Sequence, residues 1–408
     1  MDTPITWIFP LTFAATKKCA MKRLELFFLL SFALLSCEHL DDDMDRHGGG
    51  DEPFVYIDLG EVAQLLAASG FEKAQADEVF TAVSSSSGNG YDEEYTLQDL
   101  FSSPGAGVGE DVSKAGGSDY EKPLRSLLEA AIREKYGSKA EGGIDADMYL
   151  EALRSSDVQI YWPFSECWDG TSMPIVAAAP EDMSEIVWGW DSRGEKVALD
   201  EETASEQPVW VINRNNDAGF TSLELLRRRD PSWGEGGGDI LVRGARGTAS
   251  KAVRTLVLRS FRAYRNYDPW YLGGSEFFIK CGSVDEFYAS TEAEMALYSP
   301  SITDFMIVMK RSEVNTELPF NAILVSDWTE KLHSCAFLVT EDDGGTVTKW
   351  DCSAIVKINS KGYGIEMSIP VKTKDDIVWR GQLTAGYIEK YSGTTARFGD
   401  VDLVLELI

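Results

Sequence analysis

Near residue 155 the spacing of apolar residues changes from a helical to an extended period. A chain with that change must build its core from both kinds of element. Before the change, Leu59, Val62, Leu65 and Leu66 share one face of a helix predicted over 57–68. Ala74, Val79, Phe80 and Val83 continue the pattern over 71–83, up to a breaker at Ser84–Ser87 and Gly88. Leu124, Leu127, Leu128 and Ile132 form the clearest stripe, over 119–136, and Gly137 supplies the C-terminal cap. A short helix is predicted over 145–153, and the Gly- and Ser-rich stretch 102–117 reads as a loop. After the change, β-branched and aromatic runs at 158–162, 173–178, 186–190 and 208–213 predict short strands separated by turn formers. A helix at 222–229 and a Gly-rich loop at 234–238 interrupt them. Strands then recur at 254–264, 276–281, 305–310, 322–327, 336–341, 354–358, 364–369 and 401–407. The expected fold is α+β: a helical N-terminal region (55–155), a central β-rich region (156–268) and a C-terminal antiparallel β-sandwich (269–408), for which a C2-like arrangement is one form.

Charge limits the partners. The 408 residues carry a formal net charge of -29, so phosphate contacts lack their basic footprint and sequence-general nucleic-acid binding is excluded. The same charge disfavours direct docking on anionic lipid, and membrane association needs a dedicated anchor. Met21-Lys22-Arg23, an apolar run from Leu24 to Leu35, and Ser36-Cys37 follow the order of a secretory signal. The run is too short for a transmembrane span of roughly 20 apolar residues. Leu34-Leu35-Ser36-Cys37 resembles the bacterial lipobox, in which the Cys thiol is acylated before cleavage. Residues 1–36 are therefore expected to be a lipoprotein signal peptide with its true start at Met21, and Cys37 the lipid attachment site. The acidic and Gly-rich stretch 37–54 has too little apolar content to fold and reads as a tether. Its acidic run after Cys37 resembles the export signal of Bacteroidetes surface lipoproteins; a plain solvated linker is the alternative. The expected location is the bacterial outer membrane facing the cell surface, with the periplasmic face as the alternative.

Beyond Cys19 and Cys37 four cysteines remain, Cys167, Cys281, Cys335 and Cys352, and no CxxC spacing indicates a zinc ribbon. Asp343-Gly344 is a favoured two-residue hairpin loop. Counting outward pairs Val339 with Thr348, Phe337 with Trp350, and Cys335 with Cys352. A Cys335–Cys352 disulfide is the preferred bridge, and two buried free thiols are the alternative. Glu341, Asp342 and Asp343 offer oxygen ligands for calcium in a sandwich loop, set against a solvated turn.

Catalytic motifs are sparse. His39 and His47 fall in the tether, leaving His333. This removes HExxH chemistry and most triads, and beside Cys335 on a strand His333 reads as a packed residue. Carboxylates are too many for a glycosidase pair to be singled out. Arg227, Arg228, Arg229, Arg243, Arg246, Lys251, Arg254, Arg259, Arg262 and Arg265 form a basic stretch. It reads either as an anion site or, preferably, as solvated arginines compensating the acidic remainder. Trp162, Trp168, Trp188, Trp190, Trp210 and Trp233 cluster in the middle segment, where burial is the default. Trp188 and Trp190 are two apart on one strand; if their common face is exposed, it is the candidate binding surface.

Ile160-Tyr161-Trp162-Pro163, Trp168-Asp169-Gly170, Met173-Pro174-Ile175-Val176-Ala177, Ala179-Pro180-Glu181-Asp182-Met183, Val209–Asn215 and Trp270-Tyr271-Leu272-Gly273-Gly274-Ser275-Glu276 carry a family resemblance. They resemble segments of a group of uncharacterised Bacteroidetes surface lipoproteins, with Ser275 where the pattern commonly has Pro. The resemblance covers about 158–281. It implies the domain order and the compartment, and no activity. The expected function is a non-catalytic, membrane-anchored binding or envelope-interaction role, toward a glycan or an envelope protein. The alternatives are a histidine-independent carboxylate hydrolase acting on glycan or peptide, and a structural subunit of an outer-membrane complex.

Overall fold

The computed structural model describes residues 55–102, 123–137, 144–215, 220–229 and 253–408. Cys37, the signal segment, Trp233 and the basic residues Arg243, Arg246 and Lys251 lie outside them. Residues 53–408 form one compact unit.

The N-terminal helices start at side-chain caps. Asp58 accepts the Glu61 N–H at 2.7 Å to open α1 (Leu59–Ala68). α2 (Lys73–Gly88) runs through the expected serine breaker, because Val79, Val83 and Ser86 keep the helical spacing of buried residues for another turn. A short strand β1 (Glu94–Thr96) and helix α3 (Leu97–Phe101) follow, neither of which the periodicity revealed. α4 (Pro123–Tyr136) and α5 (Ala146–Arg154) complete the layer. Buried Glu78 anchors it: it accepts the Tyr95 hydroxyl at 3.0 Å and the first-turn N–H of Leu124 at 2.7 Å, which places its charge at the positive end of α4.

The central strands are β2 (Val158–Tyr161), β3 (Ile175–Ala178), β4 (Val187–Trp190) and β5 (Lys196–Leu199). After α6 (Glu201–Glu206) comes β6 (Val209–Arg214). With β1 they form a sheet ordered β1-β2-β6-β3-β4-β5, antiparallel except for β3 beside β6. Both faces are covered. Val158, Ile160, Val176, Trp210 and Ile212 meet the helices, while Tyr161, Ile175, Val209 and Val211 meet Trp270 and Tyr271. That double burial is why β6 reads as an unbroken apolar run rather than an alternating one.

The rest of the described chain holds α7 (Leu223–Arg229), β7 (Arg254–Ala263), β8 (Ser275–Ser283), α8 (Glu292–Met295) and β9 (Ser301–Met309). β10 (Leu318–Trp328), β11 (Leu332–Glu341), β12 (Val347–Ile358) and β13 (Lys361–Lys372) follow. The chain ends with β14 (Asp376–Thr384), α9 (Ala385–Tyr391), β15 (Thr394–Phe398) and β16 (Val401–Leu407). One sheet runs β10-β7-β16-β15; the other runs β13-β12-β11-β8-β9, with β14 on the second edge of β11. Leu258, Phe261 and Leu403 from the first share a core with Phe277, Ile279 and Phe337 from the second. The whole is α+β with a β-sandwich-like C-terminal region. β7, at the end of the stretch expected to be central, is a sandwich strand paired with β10 and β16.

The 341–347 hairpin differs from expectation. β11 pairs with β12 only at Leu332↔Val356 and Ser334↔Ile355. Beyond that, β8 and β14 occupy its two edges, so Cys335 faces Leu383, and Phe337 faces Cys281 and Gly381. Cys352 and Trp350 pair instead with Met367 and Ile369 of β13. The Cys335–Cys352 disulfide does not form, and all four described cysteines are free thiols. Turn chemistry favoured a local hairpin. The uniformly buried run from Ser334 to Glu341 gains more from two distant strands that cover both of its edges.

Trp210 stacks on Phe71 at 4.7 Å and meets Trp162 edge-on at 5.9 Å, with no exposed surface. Trp210→Ala is expected to cost about 3–5 kcal/mol, measured as a lower denaturation midpoint at unchanged slope.

Candidate functional site: a buried acidic centre and an exposed aromatic edge

Where the helix-covered sheet meets the sandwich, several carboxylates are buried together. Asp92, Glu93 and Glu94 lead into β1, and all three are buried. Asp92 accepts the N–H of Glu93 at 2.8 Å and that of Gly274 at 2.6 Å, which joins the two halves directly. Gly274 is required there, because a Cβ would run into the carbonyl oxygen of Met309. Glu93 accepts both the N–H and the hydroxyl of Ser165, at 3.0 and 2.7 Å.

Three further carboxylates come from the sandwich side. Asp268 lies on the β7–β8 connection, Glu276 on β8 and Glu341 at the end of β11, and a carboxylate oxygen from each lies within 4.8 Å of the others. Glu341 has no exposed surface; its carboxyl shares a hydrogen bond with that of Asp268, and no N–H donor reaches either of its oxygens. The nearby Ser275 hydroxyl spends its one proton on Asn266 Oδ1 at 3.0 Å. The buried guanidinium of Arg311 stands beside the group, but Nη1 pairs with Glu201 at 2.7 Å and Nη2 donates to the Asp268 carbonyl at 2.5 Å.

Burial sets the protonation of this centre. Loss of water, then the charge of Asp268, pushes the Glu341 carboxyl up to about 10. Burial likewise pushes Asp268 up to about 7. Glu93 goes up to about 9 through burial and its hydrogen bond to Glu166. For Glu166 burial is outweighed by hydrogen bonds from Glu93 and Ser312, so its pKa is lowered and it stays the charged partner. Asp92 is raised by burial, against the N–H donors of Gly274 and Glu93.

The residues singled out in the sequence separate. Of Glu341, Asp342 and Asp343, only Glu341 joins the inward trio. Asp342 pairs with Lys372 and accepts the Gly344 N–H at 2.7 Å. Trp188 is 51 % exposed, whereas Trp190 packs against the helical core, so the two do not make a joint platform. Lys196 Nζ sits 4.6 Å over the Trp188 ring. Beside Trp188 the β3–β4 connection exposes Met183 and Ile186, and exposed Tyr56 reaches the same loop through Glu181 Oε1 at 3.4 Å. Trp162 and Trp210 are core residues. Trp168 lines a cleft of about 80 Å³ with Phe164, Asp169 and Gln207, well below the roughly 300–1,000 Å³ of small-molecule pockets.

Six arginines of the basic stretch have acceptors among the described residues. Arg254 pairs with Glu389, Arg259 with Glu406, Arg262 with Glu317 and Arg265 with Asp400. Arg227 and Arg228 donate to the carbonyls of Asn321 and Gly88. This is the compensating arrangement rather than an open anion site. His333 lies on β11 two residues before buried Cys335, whose neighbour is the Cys281 thiol.

Sequence reasoning missed Asp92, Glu93, Asp268 and Glu276. The available signal was the run Tyr91-Asp92-Glu93-Glu94-Tyr95, charged residues framed by two large aromatics at the start of a strand. Asp268 and Glu276 carry no local signal, since only tertiary contact brings them to Glu341.

Glu93 holds its proton in the fold up to about 9, while the unfolded chain releases it above its ordinary 4.5. Its stabilising contribution is complete below 4.5 and is lost as pH rises toward 9. Glu93→Gln keeps the donor to Glu166 and the acceptor for Ser165. In chelator-treated protein it is expected to raise the melting temperature at pH 8 and to flatten its decline between pH 5 and 9. An unchanged pH profile would contradict a protonated Glu93.

Compared with protein-family models, curated proteins and solved structures, the chain matches none.

Proposed function

We propose that this chain is a lipid-anchored, non-catalytic binding protein of the bacterial outer membrane, held by Cys37 and facing the cell surface, as in the Bacteroidetes lipoproteins that it resembles. One observation carries the binding role: Trp188 on β4 and Met183 and Ile186 on the connection that leads into it are all exposed, and exposed Tyr56 reaches that connection through Glu181. Large apolar side chains held in water within a few residues of one another favour a surface that is covered in use. Aromatic residues and Met are enriched in protein interfaces. The aliphatic Met183 and Ile186 favour an envelope protein as partner over a glycan, whose rings stack on flat aromatic faces. A carboxylate hydrolase needs its acid pair within reach of substrate. The trio around Glu341 is enclosed, which favours a structural use of those carboxylates.

Two experiments test this reading. Cys37→Ala is expected to abolish labelling by a fatty-acid probe and to leave unprocessed precursor; continued labelling would refute the anchor. Trp188→Ala is expected to leave folding stability within about 0.5 kcal/mol. It should lower capture of a crosslinked envelope protein about tenfold or more, as loss of a central interface aromatic does. If capture is unchanged, the exposed edge is not the binding surface.

A further inference from the structure

We propose that Asp268, Glu276 and Glu341 bind one hard divalent cation, calcium, inside the seam between the central sheet and the sandwich.

Three observations converge. The ligand set is all oxygen, which selects calcium, magnesium or manganese over softer metals. Its three carboxylate oxygens lie within 4.8 Å of one another. Oxygens on opposite sides of a calcium ion, each about 2.3–2.6 Å from it, are separated by about 5 Å, so one ion placed among the three reaches all of them. Calcium is favoured over magnesium because three carboxylates from separate elements, two of them buried, suit its flexible geometry with mono- or bidentate carboxylates, whereas magnesium demands near-ideal octahedral geometry and gives up its water shell reluctantly.

The second observation is independent of the clustering. Glu341 has no exposed surface and no N–H or O–H donor from outside the trio reaches either of its oxygens, so the one hydrogen bond open to it is a proton shared with Asp268, whose buried Oδ2 likewise has no outside donor. A carboxylate in that position takes either a proton or a cation. The Arg311 charge acts on Asp268, but its two Nη atoms are committed to Glu201 and the Asp268 carbonyl, and none of its N–H groups donates to a carboxylate oxygen of the trio.

The third is the position of the ligands in the fold. They come from the β7–β8 connection, from β8 and from the end of β11. The backbone of the last two is already joined by the Asp342 N–H donating to the Glu276 carbonyl at 3.0 Å. Six residues beyond Asp268, Gly274 donates to Asp92 of the other half. An ion among the three ligands would fix this connection, and with it the contact through which the central sheet is held. The proposal does not depend on the exposed edge or on the lipid anchor.

The test uses the full chain after chelator treatment. Equilibrium dialysis is expected to find one calcium per chain. Millimolar calcium should raise the melting temperature by several degrees, and excess chelator should reverse the rise. Glu341→Gln and Asp268→Asn, which keep side-chain shape, are expected to weaken binding about tenfold or more. No calcium retained by the parent chain would overturn the proposal, and so would an equal calcium-induced rise in Glu341→Gln. Should both ligand variants fail to fold, the stoichiometry of the parent chain decides.

Discussion

The seam between the two halves of this protein is organised by buried carboxylates, which are the costliest groups a fold can enclose. Asp92 closes the seam by accepting the Gly274 N–H, and Arg311 crosses it by pairing with Glu201 while donating to the Asp268 carbonyl. An apolar seam of the same area would tolerate sliding. Directed acceptors and donors do not, so the relative placement of sheet and sandwich is specified by a few short bonds. The consequence is a group of side chains whose protonation depends on the fold, with Glu93 and Glu341 held far above the ordinary carboxylate range.

Away from the seam the architecture follows from covering apolar faces. β6 is buried on both sides, by the helices on one and by Trp270 and Tyr271 on the other, and it became the centre of its sheet. β11 is buried along nearly its whole length and took β8 and β14 as edge partners in place of most of a local hairpin. In both strands the distant partner prevailed because it satisfies backbone groups that would otherwise be buried unpaired. β4 shows the opposite case. Trp188 stays half exposed under Lys196, while Trp190, two residues on, reaches the helical core. One strand face therefore supplies both a core residue and the best candidate for a contact surface.

Much of the element order could be read from single residues. The stripe through Leu124, Leu128 and Ile132 gave α4, and the alternating and apolar runs gave most of the longer strands. β1, β5 and β15 are short and lack the run of β-branched and aromatic residues that marked β2 and β4 at a similar length. β14 pairs along β11, and a long-range ladder leaves no mark on the sequence between the two strands. The acidic centre was hidden for a related reason. In a chain with 67 acidic residues, the few gathered at this seam do not stand out until a tertiary contact encloses them.

By itself the sequence determined the α+β class, the change of period near residue 155, and the absence of a basic footprint for nucleic acid. These are set by local spacing and by net charge, which do not depend on how the chain closes. It also framed the expectation of a lipid anchor at Cys37, through the order of charge, apolar run and thiol. Tertiary structure alone decided that β7 belongs to the sandwich, that Cys335 faces Leu383 rather than Cys352, and that Trp188 and Trp190 part company. It alone also brought Asp268, Glu276 and Glu341 together. Each of these depends on contacts between residues far apart in the chain, and side-chain burial and carboxyl protonation are properties of such contacts rather than of the residues that make them.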